Sequence, residues 1–402
     1  MGVDRNRFEV VIAGAGPAGS SAAIHLAQRG VNVLLVEQKR FPRQKLCGEF
    51  ISPECREHFK RLGVAADMDS ALPATLSETV FYSLTGHRIS VPSEWLTSNS
   101  PALGLSRAEM DYNLLKRAAS LGVTVLQDAS VVDVLEDANH VRGVRVKLGE
   151  VTMDYESSIV IDATGRTRAL IRKSKSRGGK RFHAGKSRLI AFKVHLQNTR
   201  GDKSACEIYS YRGGYGGLSS IEDGLSNLCF IVAARDVRRC FSDPAIVMDK
   251  VVKTNPRAAY ALADARICGD WLSVALEGFG RETLVPLSGL LTVGDAAAFI
   301  DPFTGSGMLM AFESGELAAT TICRHLKTLS TNLGYVSLTR DYRSAYARKF
   351  DSRLRISGLL RRTAFVPFAA EAAILFFSLN DRLRRKLARS TRSPDQPVVS
   401  AQ

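Results

Sequence analysis

The sequence holds no CxxC pair, and its seven cysteines (Cys47, Cys55, Cys206, Cys229, Cys240, Cys268 and Cys323) are odd in number and scattered. That argues against a disulfide framework and against a zinc or other metal site, and the expected compartment is the reducing cytoplasm. No apolar run is long enough to span a bilayer. The opening residues lack the charged, then apolar, then small-residue layout of a secretory signal. Internal repeats and low-complexity tracts are missing too. Nothing resembles a dedicated acid–base pair: His25 falls in the first expected helix, and His58 and His87 lie in unremarkable contexts. What remains is the composition of a globular protein, 45% hydrophobic and 24% charged, with 402 residues to fill two or three domains.

The chain opens on a nucleotide-binding pattern. Phe8 to Ala13 is a short apolar run suited to a buried parallel strand. It leads into Gly14-Ala15-Gly16-Pro17-Ala18-Gly19, a GxGxxG, and then into helical spacing from Ser20 to Arg29 that Gly30 stops. A second strand, Val31 to Val36, ends at Glu37-Gln38, with Glu37 eighteen residues after Gly19. The first glycine permits a tight turn, the second lets the backbone approach a pyrophosphate, and the third lets helix and strand pack closely. The helix N-terminus offers free N–H groups to phosphate, and Glu37 would accept hydrogen bonds from ribose hydroxyls.

A second pattern lies almost three hundred residues later. Leu290 to Val293 is another apolar strand, followed by Gly294-Asp295-Ala296-Ala297, Asp301-Pro302 and Gly305-Ser306-Gly307, then a helix from Met308 to Leu326. Asp295 can take a ribityl or ribose hydroxyl. The turn at Gly305, Ser306, Gly307 and Met308 can aim backbone N–H groups and a helix dipole at the edge of a flavin where negative charge gathers on reduction. Two such motifs so far apart suggest one long cofactor gripped at both ends, and FAD is of that kind.

The set GAGPAG…E, RQKLCGE, LSRAEMDYNLLKRAASLGV, DATG and GDAAAFIDPFTGSG resembles the para-hydroxybenzoate hydroxylase-type flavoproteins, nearest their geranylgeranyl reductase-like branch, over residues 8 to 325. The resemblance implies an α/β, Rossmann-type (GR2-like) FAD-binding fold with an interleaved antiparallel β substrate domain and a C-terminal helical segment. Position by position, it puts Gly14, Gly16 and Gly19, with Pro17 and Ala18, under the pyrophosphate. Arg107 would lie near the phosphates and ribityl chain, and Ala129 and Val131 would offer backbone groups to adenine. Asp162 and Gly165 of DATG lie beside the cofactor in such proteins. Gly294, Asp295, Pro302 and the 305–308 turn would serve the ribityl and flavin end. Cys47, Gly48 and Glu49 would lie near the flavin ring, with Arg43 and Lys45 as cations able to act on the thiol. A cysteine there reads either as a group lining the active site or as a small buried packing residue.

The chain departs from that branch at Gly213-Gly214-Tyr215-Gly216-Gly217-Leu218-Ser219-Ser220, where an aromatic segment ending in Phe-Pro is usual. Tyr215 survives, and the glycines imply a wider or differently shaped pocket. The WxWxIP element of flavin halogenases is missing, which disfavours halogenation. The expected organisation is an FAD-binding domain in three pieces (1–75, 100–180, 270–325), a substrate domain (76–99, 181–269), a C-terminal helical region (326–390) and a disordered tail (391–402).

Charge is uneven within a net +15: from Arg343 to Arg392 there are thirteen Lys/Arg against Asp351, Glu371 and Asp381. Ala364 to Leu379 is strongly apolar, broken by Pro367 and Glu371 and flanked by Arg361, Arg362, Arg382, Arg384, Arg385, Lys386 and Arg389. It reads either as a greasy cover over a substrate cavity or as a peripheral contact with an anionic inner-membrane face. Ten Lys/Arg and no acid lie between Arg166 and Arg188. That stretch reads as a solvated mobile loop, or as an anion dock for NADH or NADPH phosphates or an acidic carrier. Nucleic acid is not expected, because Phe182 alone interrupts the charges. The function expected is an FAD-dependent oxidoreductase, reductase-like, acting on a hydrophobic isoprenoid, lipid or polyketide. The alternatives are an NAD(P)H- and O2-dependent monooxygenase on an aromatic or polyketide substrate, and a non-catalytic flavin-binding protein at a membrane surface.

Overall fold

The computed structural model describes residues 6–96, 100–137, 140–173, 188–276, 278–329, 331–364, 367–378 and 380–392. Most of the basic stretch and nearly all of the tail thus lie outside the described residues. Strand Arg7–Ala13 is apolar on both faces and sits at the centre of a seven-stranded sheet. It pairs in parallel with Val33–Val36 and with Val151–Asp162. Thr124–Leu126 extends one edge in parallel, and Leu290–Thr292 joins Val151–Asp162 in parallel. Ala129–Asp137 and His140–Leu148 complete an antiparallel meander with Val151–Asp162.

Helices Pro17–Ala27, Arg107–Ser120 and Gly307–His325 bury their apolar stripes on one face of this sheet, against Val10, Ile12, Leu35 and Ile161. Two of them touch at backbone distance. A Cβ on Gly315 would stand 2.4 Å from the Ala18 carbonyl oxygen, so glycine is what allows the helix after the second motif to lie against the helix after the first. Helix Arg107–Ser120 starts on a serine N-cap, Ser106 Oγ accepting the Glu109 N–H at 3.2 Å.

A second seven-stranded sheet runs Arg266–Leu276, Leu189–Gln197, Ser226–Ala233, Gly214–Ser220, Ala205–Tyr211, Glu78–Tyr82, Arg88–Pro92. All neighbours are antiparallel except Ala205–Tyr211 and Glu78–Tyr82. Its first strand continues to Leu276, past residue 269 where the sequence reading ends the substrate domain. Short helices Ala234–Arg239, Pro244–Lys250 and Pro256–Ala261 cover its outer face, packing on Phe192, Val194, Leu228 and Phe230. Ala191, Tyr215 and Ile231 on the other face look toward the first sheet's motif ends, beside Phe299.

The C-terminal region is three helices, Asn332–Ala364, Pro367–Ser378 and Asp381–Ser390. The first buries Tyr335, Leu338, Tyr342, Tyr346 and Phe350, the leucine and phenylalanine each worth about 1.5–3 kcal/mol of apolar burial. Tyr342 also donates to the Thr292 carbonyl at 2.7 Å, and Arg353 pairs with Glu313 at 2.8 Å. Among the described residues no helix is long and apolar enough to cross a membrane.

Candidate active site

A cavity of about 650 Å³ runs between the two sheets and the last two helices. At one end it is walled by the first glycine turn. Gly14 has φ +103°, and a Cβ there would stand 2.4 Å from the Ala163 carbonyl oxygen; a Cβ on Gly19 would stand 1.8 Å from the Gly14 oxygen. Both positions are closed to any other residue by backbone. Gly16 differs: a Cβ there would meet only the Arg107 Nη2, at 3.6 Å, because it faces the open cavity. Glu37 accepts the Ala15 N–H at 2.8 Å with Oε2 and the Lys39 N–H at 3.0 Å with Oε1, so its carboxylate is fixed beside the turn.

From Glu37 a ladder of charges crosses the wall. Arg43 lies 3.7 Å from Glu37 Oε1 and donates to Asp111 at 3.0 Å, and Asp111 accepts from Arg107 Nε at 2.9 Å and Nη2 at 2.6 Å. Burial works against the Arg107 charge, but the Asp111 carboxylate outweighs it and the guanidinium stays protonated. Asp295 faces the same space, half-buried. Burial pushes its carboxyl above the ordinary range, while the charges of Arg166, Arg107 and Lys45 pull against that shift. The two motif ends meet here, for a Cβ on Gly294 would stand 2.8 Å from that of Ala18.

Nearly all the residues singled out from sequence line this one cavity, including Gln38, Ala129, Val131, Gly165, Pro302, Gly305, Gly307 and Met308. Gly19, Asp162 and Ser306 do not. Gly19 is pressed into the turn. Asp162 accepts the Thr164 N–H at 3.0 Å and hydroxyl at 2.6 Å, holding its own loop. Ser306 is buried, its hydroxyl 2.8 Å from that of Thr304.

At the other end stand Cys47-Gly48-Glu49 and Tyr215. Tyr215 is buried and donates its hydroxyl to Asp301 Oδ1 at 2.6 Å, and Asp301 accepts the Phe303 N–H at 3.0 Å. Burial raises the Tyr215 phenol well above its ordinary value, with the Asp301 charge adding to it, so the proton stays on the tyrosine. Tyr215 thereby pins the turn at Pro302–Thr304 that leads into Gly305, φ +62°. Of the glycines around it, Gly216 would put a Cβ 2.9 Å from that of Phe230, while a Cβ on Gly217, which lines the cavity, would stand 3.1 Å from Ile208 Cδ1. Ile208 therefore takes part of the room that the glycines leave.

Glu49 has φ +52° and a fully buried side chain. Its Oε1 accepts the Arg107 N–H at 2.8 Å and a bond from Lys193; its Oε2 lies 2.7 Å from His195 Nε2. Burial alone would raise its carboxyl, but the His195 hydrogen bond and the Lys193 charge hold it below the usual carboxylate range. Neither Lys193 nor His195 stands out in the sequence. A strand's alternation puts them on one face, which ordinarily reads as a solvent face; here the RQKLCGE loop covers it.

The C-terminal helices close the remaining side. Ala373, Ile374 and Phe377 of one, and Arg384, Leu387 and Ala388 of the next, line the cavity, followed by Thr391 and Arg392. Glu371 accepts from Ser83 at 3.0 Å and from Thr85 at 2.5 Å, tying its helix to the turn between two strands of the second sheet. Arg384 and Arg385 lie about 5 Å over the Trp95 ring, and Arg389 donates to the Trp95 carbonyl at 2.9 Å.

Residues 7–330 match the family described as FAD binding domain. The chain is 28% identical to a menaquinone reductase of Mycolicibacterium smegmatis, over 92% of this chain and 88% of that protein. It is 27% identical to a digeranylgeranylglycerophospholipid reductase of Picrophilus torridus, over 78% of this chain and 77% of that protein. Among solved structures, the flavin-dependent brominase Bmp2 superposes with a TM-score of 0.79 at 25% identity, over 96% of this chain and 93% of that one.

Proposed function

The chain belongs to the FAD-binding domain family and is a flavin-dependent oxidoreductase, and from that premise we propose that it works as a reductase on a hydrophobic isoprenoid, lipid or polyketide, with NADH or NADPH as electron donor. The non-catalytic reading is set aside. The residues present fit FAD on the evidence of their charges. Lys45, Arg107 and Arg166 all face the cavity, Arg107 beside Gly16. Burial lowers the Lys45 ammonium, and Arg43 and Arg107 add to that by repulsion; burial likewise lowers the Arg166 guanidinium. A diphosphate at the open face of Gly16 is the anion that relieves such a cluster.

In this reading Glu37 and Asp295 hold ribose and ribityl hydroxyls, and the Gly305–Met308 turn faces the isoalloxazine. The flavin, when bound, supplies the two-electron hydride chemistry. The chain binds, orients and keeps water out. The observation that carries the choice of substrate is the apolar lining away from the phosphate end: Phe81, Ile89, Val91 and Ile208 from the second sheet, Phe303, and Ile374 and Phe377 from the C-terminal helix. Such a lining rewards burial of a hydrocarbon and offers few partners to a polar one. The reductase relatives named above support the same choice.

The substrate's route belongs to the C-terminal side. There Leu375, Phe376 and Leu383 are exposed beside Arg382, Arg385 and Lys386, a mixture suited to an anionic membrane surface holding a hydrophobic substrate. The deciding experiment compares NAD(P)H oxidation by the FAD-loaded protein, with a prenylated substrate, in air and without oxygen. A reduced product formed anaerobically is expected. Oxygen uptake that strictly requires substrate rules out the reductase in favour of a monooxygenase.

A further inference from the structure

The second sheet touches the RQKLCGE loop through a set of polar side chains that a substrate-binding face would not need. Lys193, its side chain 2% exposed, donates to Gln44 Oε1 at 3.1 Å, to the Lys45 carbonyl at 3.3 Å and to Glu49. His195 takes the other Glu49 oxygen. Asn227 donates to the Cys47 carbonyl at 3.1 Å and Ser219 to the Gly48 carbonyl at 3.4 Å. Every residue from Gln44 to Glu49 except Leu46 is thus held by one sheet. The Cys47 sulfur in turn accepts the Glu49 N–H at 3.4 Å. A carboxylate and an ammonium buried this deeply are costly unless each is paired with the other and hydrogen-bonded, and here both conditions are met.

We propose that Lys193 and His195 are positioning residues, which act through Glu49 to fix the Cys47-Gly48 loop and to balance the charge at the wall facing the flavin. Glu49 lines the cavity while Lys193 and His195 stand behind it. The residue that borders the cavity thus carries the carboxylate, and its compensation sets the field a bound flavin meets. An uncompensated anion there disfavours the electron-rich reduced flavin; an uncompensated cation favours it. This inference rests on the FAD reading above.

The test is the two-electron reduction potential of the bound flavin in Lys193→Met, Glu49→Gln and the double variant, alongside FAD titration and thermal unfolding. Lys193→Met should lower the potential and Glu49→Gln raise it. Each shift is expected to reach about a tenfold change in the ratio of affinities for oxidised and reduced flavin, or about 30 mV. The double variant, which removes one charge of each sign, should return close to the wild-type potential. A merely structural role would move both single variants the same way or not at all, and either outcome overturns the proposal. If Lys193→Met does not fold, Glu49→Gln carries the test alone: a raised potential supports the proposal, and an unchanged or lowered one overturns it. Failure of the wild-type protein to bind FAD would instead sink the functional reading, so the two failures stay distinct.

Discussion

Alanine at Gly16 and alanine at Gly14 should have opposite signatures, although both glycines belong to one motif. Gly16 has φ −73° and ψ −176°, extended backbone open to any residue, and its added methyl would meet only the Arg107 Nη2 at 3.6 Å. Without cofactor, Gly16→Ala should therefore fold as well as the parent, or be more stable by about 0.4–1 kcal/mol through the unfolded chain's lost entropy. The methyl does, however, occupy the side from which a diphosphate must approach the backbone. Losing one charge-assisted hydrogen bond costs about 1.5–3 kcal/mol, which is roughly a 10- to 150-fold weaker Kd for FAD. Gly14→Ala meets a different obstacle. Its φ of +103° and the Ala163 oxygen at 2.4 Å are both unyielding backbone, so it should lose stability without cofactor by at least the ~1–2 kcal/mol of a left-handed conformation. Thermal unfolding of apoprotein and FAD titration by fluorescence quenching separate the effects. If Gly16→Ala binds FAD as tightly as wild type, the placement of the phosphates at this turn is wrong.

Other outcomes follow from single contacts. Tyr215→Phe removes one of the two hydrogen bonds on the buried Asp301 Oδ1 and leaves the Phe303 N–H, so stability should fall by about 0.5–1.5 kcal/mol, read as a lower Tm, with the flavin held more loosely because the tyrosine no longer ties the turn before Gly305. His58 is buried against Phe312, and burial together with Arg61 lowers its pKa to about 3 from 6.5. The unfolded chain therefore binds the extra proton between those values. Its contribution to stability is complete above pH 6.5 and is lost as pH falls toward 3, by up to about 1.4 kcal/mol per unit; His58→Asn should flatten that part of the stability–pH curve in urea melts. Phe377→Ala enlarges the apolar end of the cavity and should raise KM for a long prenyl substrate more than it changes kcat. Co-sedimentation with anionic vesicles should be strong at low salt and fall when Arg382, Arg385 and Lys386 are changed to glutamine, whereas equal binding to neutral vesicles would contradict the proposed surface.

The nucleotide half was legible because its demands are local. A strand buried on both faces, three glycines and an acid follow at fixed spacing within one short stretch, and Gly19 against the Gly14 oxygen is a contact inside it, although the carbonyl that closes Gly14 belongs to Ala163. Asp162 shows the limit of that logic. It stands at a strand end beside the cavity, yet its carboxylate turns to Thr164, because a loop entering a tight turn uses the nearest acceptor. Lys193 and His195 were illegible for the opposite reason. Their partners lie more than 140 residues away, and a polar i, i+2 pair on a strand looks like a solvated face unless the covering loop is known.

Glu371 makes the same point about the C-terminal region, with more at stake. In sequence it is an interruption, the acid that breaks an apolar run. In the fold it is the run's coordinate, taking Ser83 and Thr85 and thereby setting how its helix lies against the second sheet. That helix and the next contribute Ile374, Phe377, Arg384 and Leu387 to the cavity, and Arg392 follows just after them. The family model ends at residue 330, so these side chains lie outside the motifs that it matches. The motifs specify how a flavin would be gripped; under the proposed function, the wall that would select a hydrophobic substrate includes Ile374 and Phe377, from an apolar segment that the sequence leaves open between a cavity cover and a membrane contact. Swapping residues 331–402 for those of a reductase relative should therefore change which substrate is reduced while leaving FAD affinity in place, and a loss of flavin on that exchange would show that the two tasks are not separable.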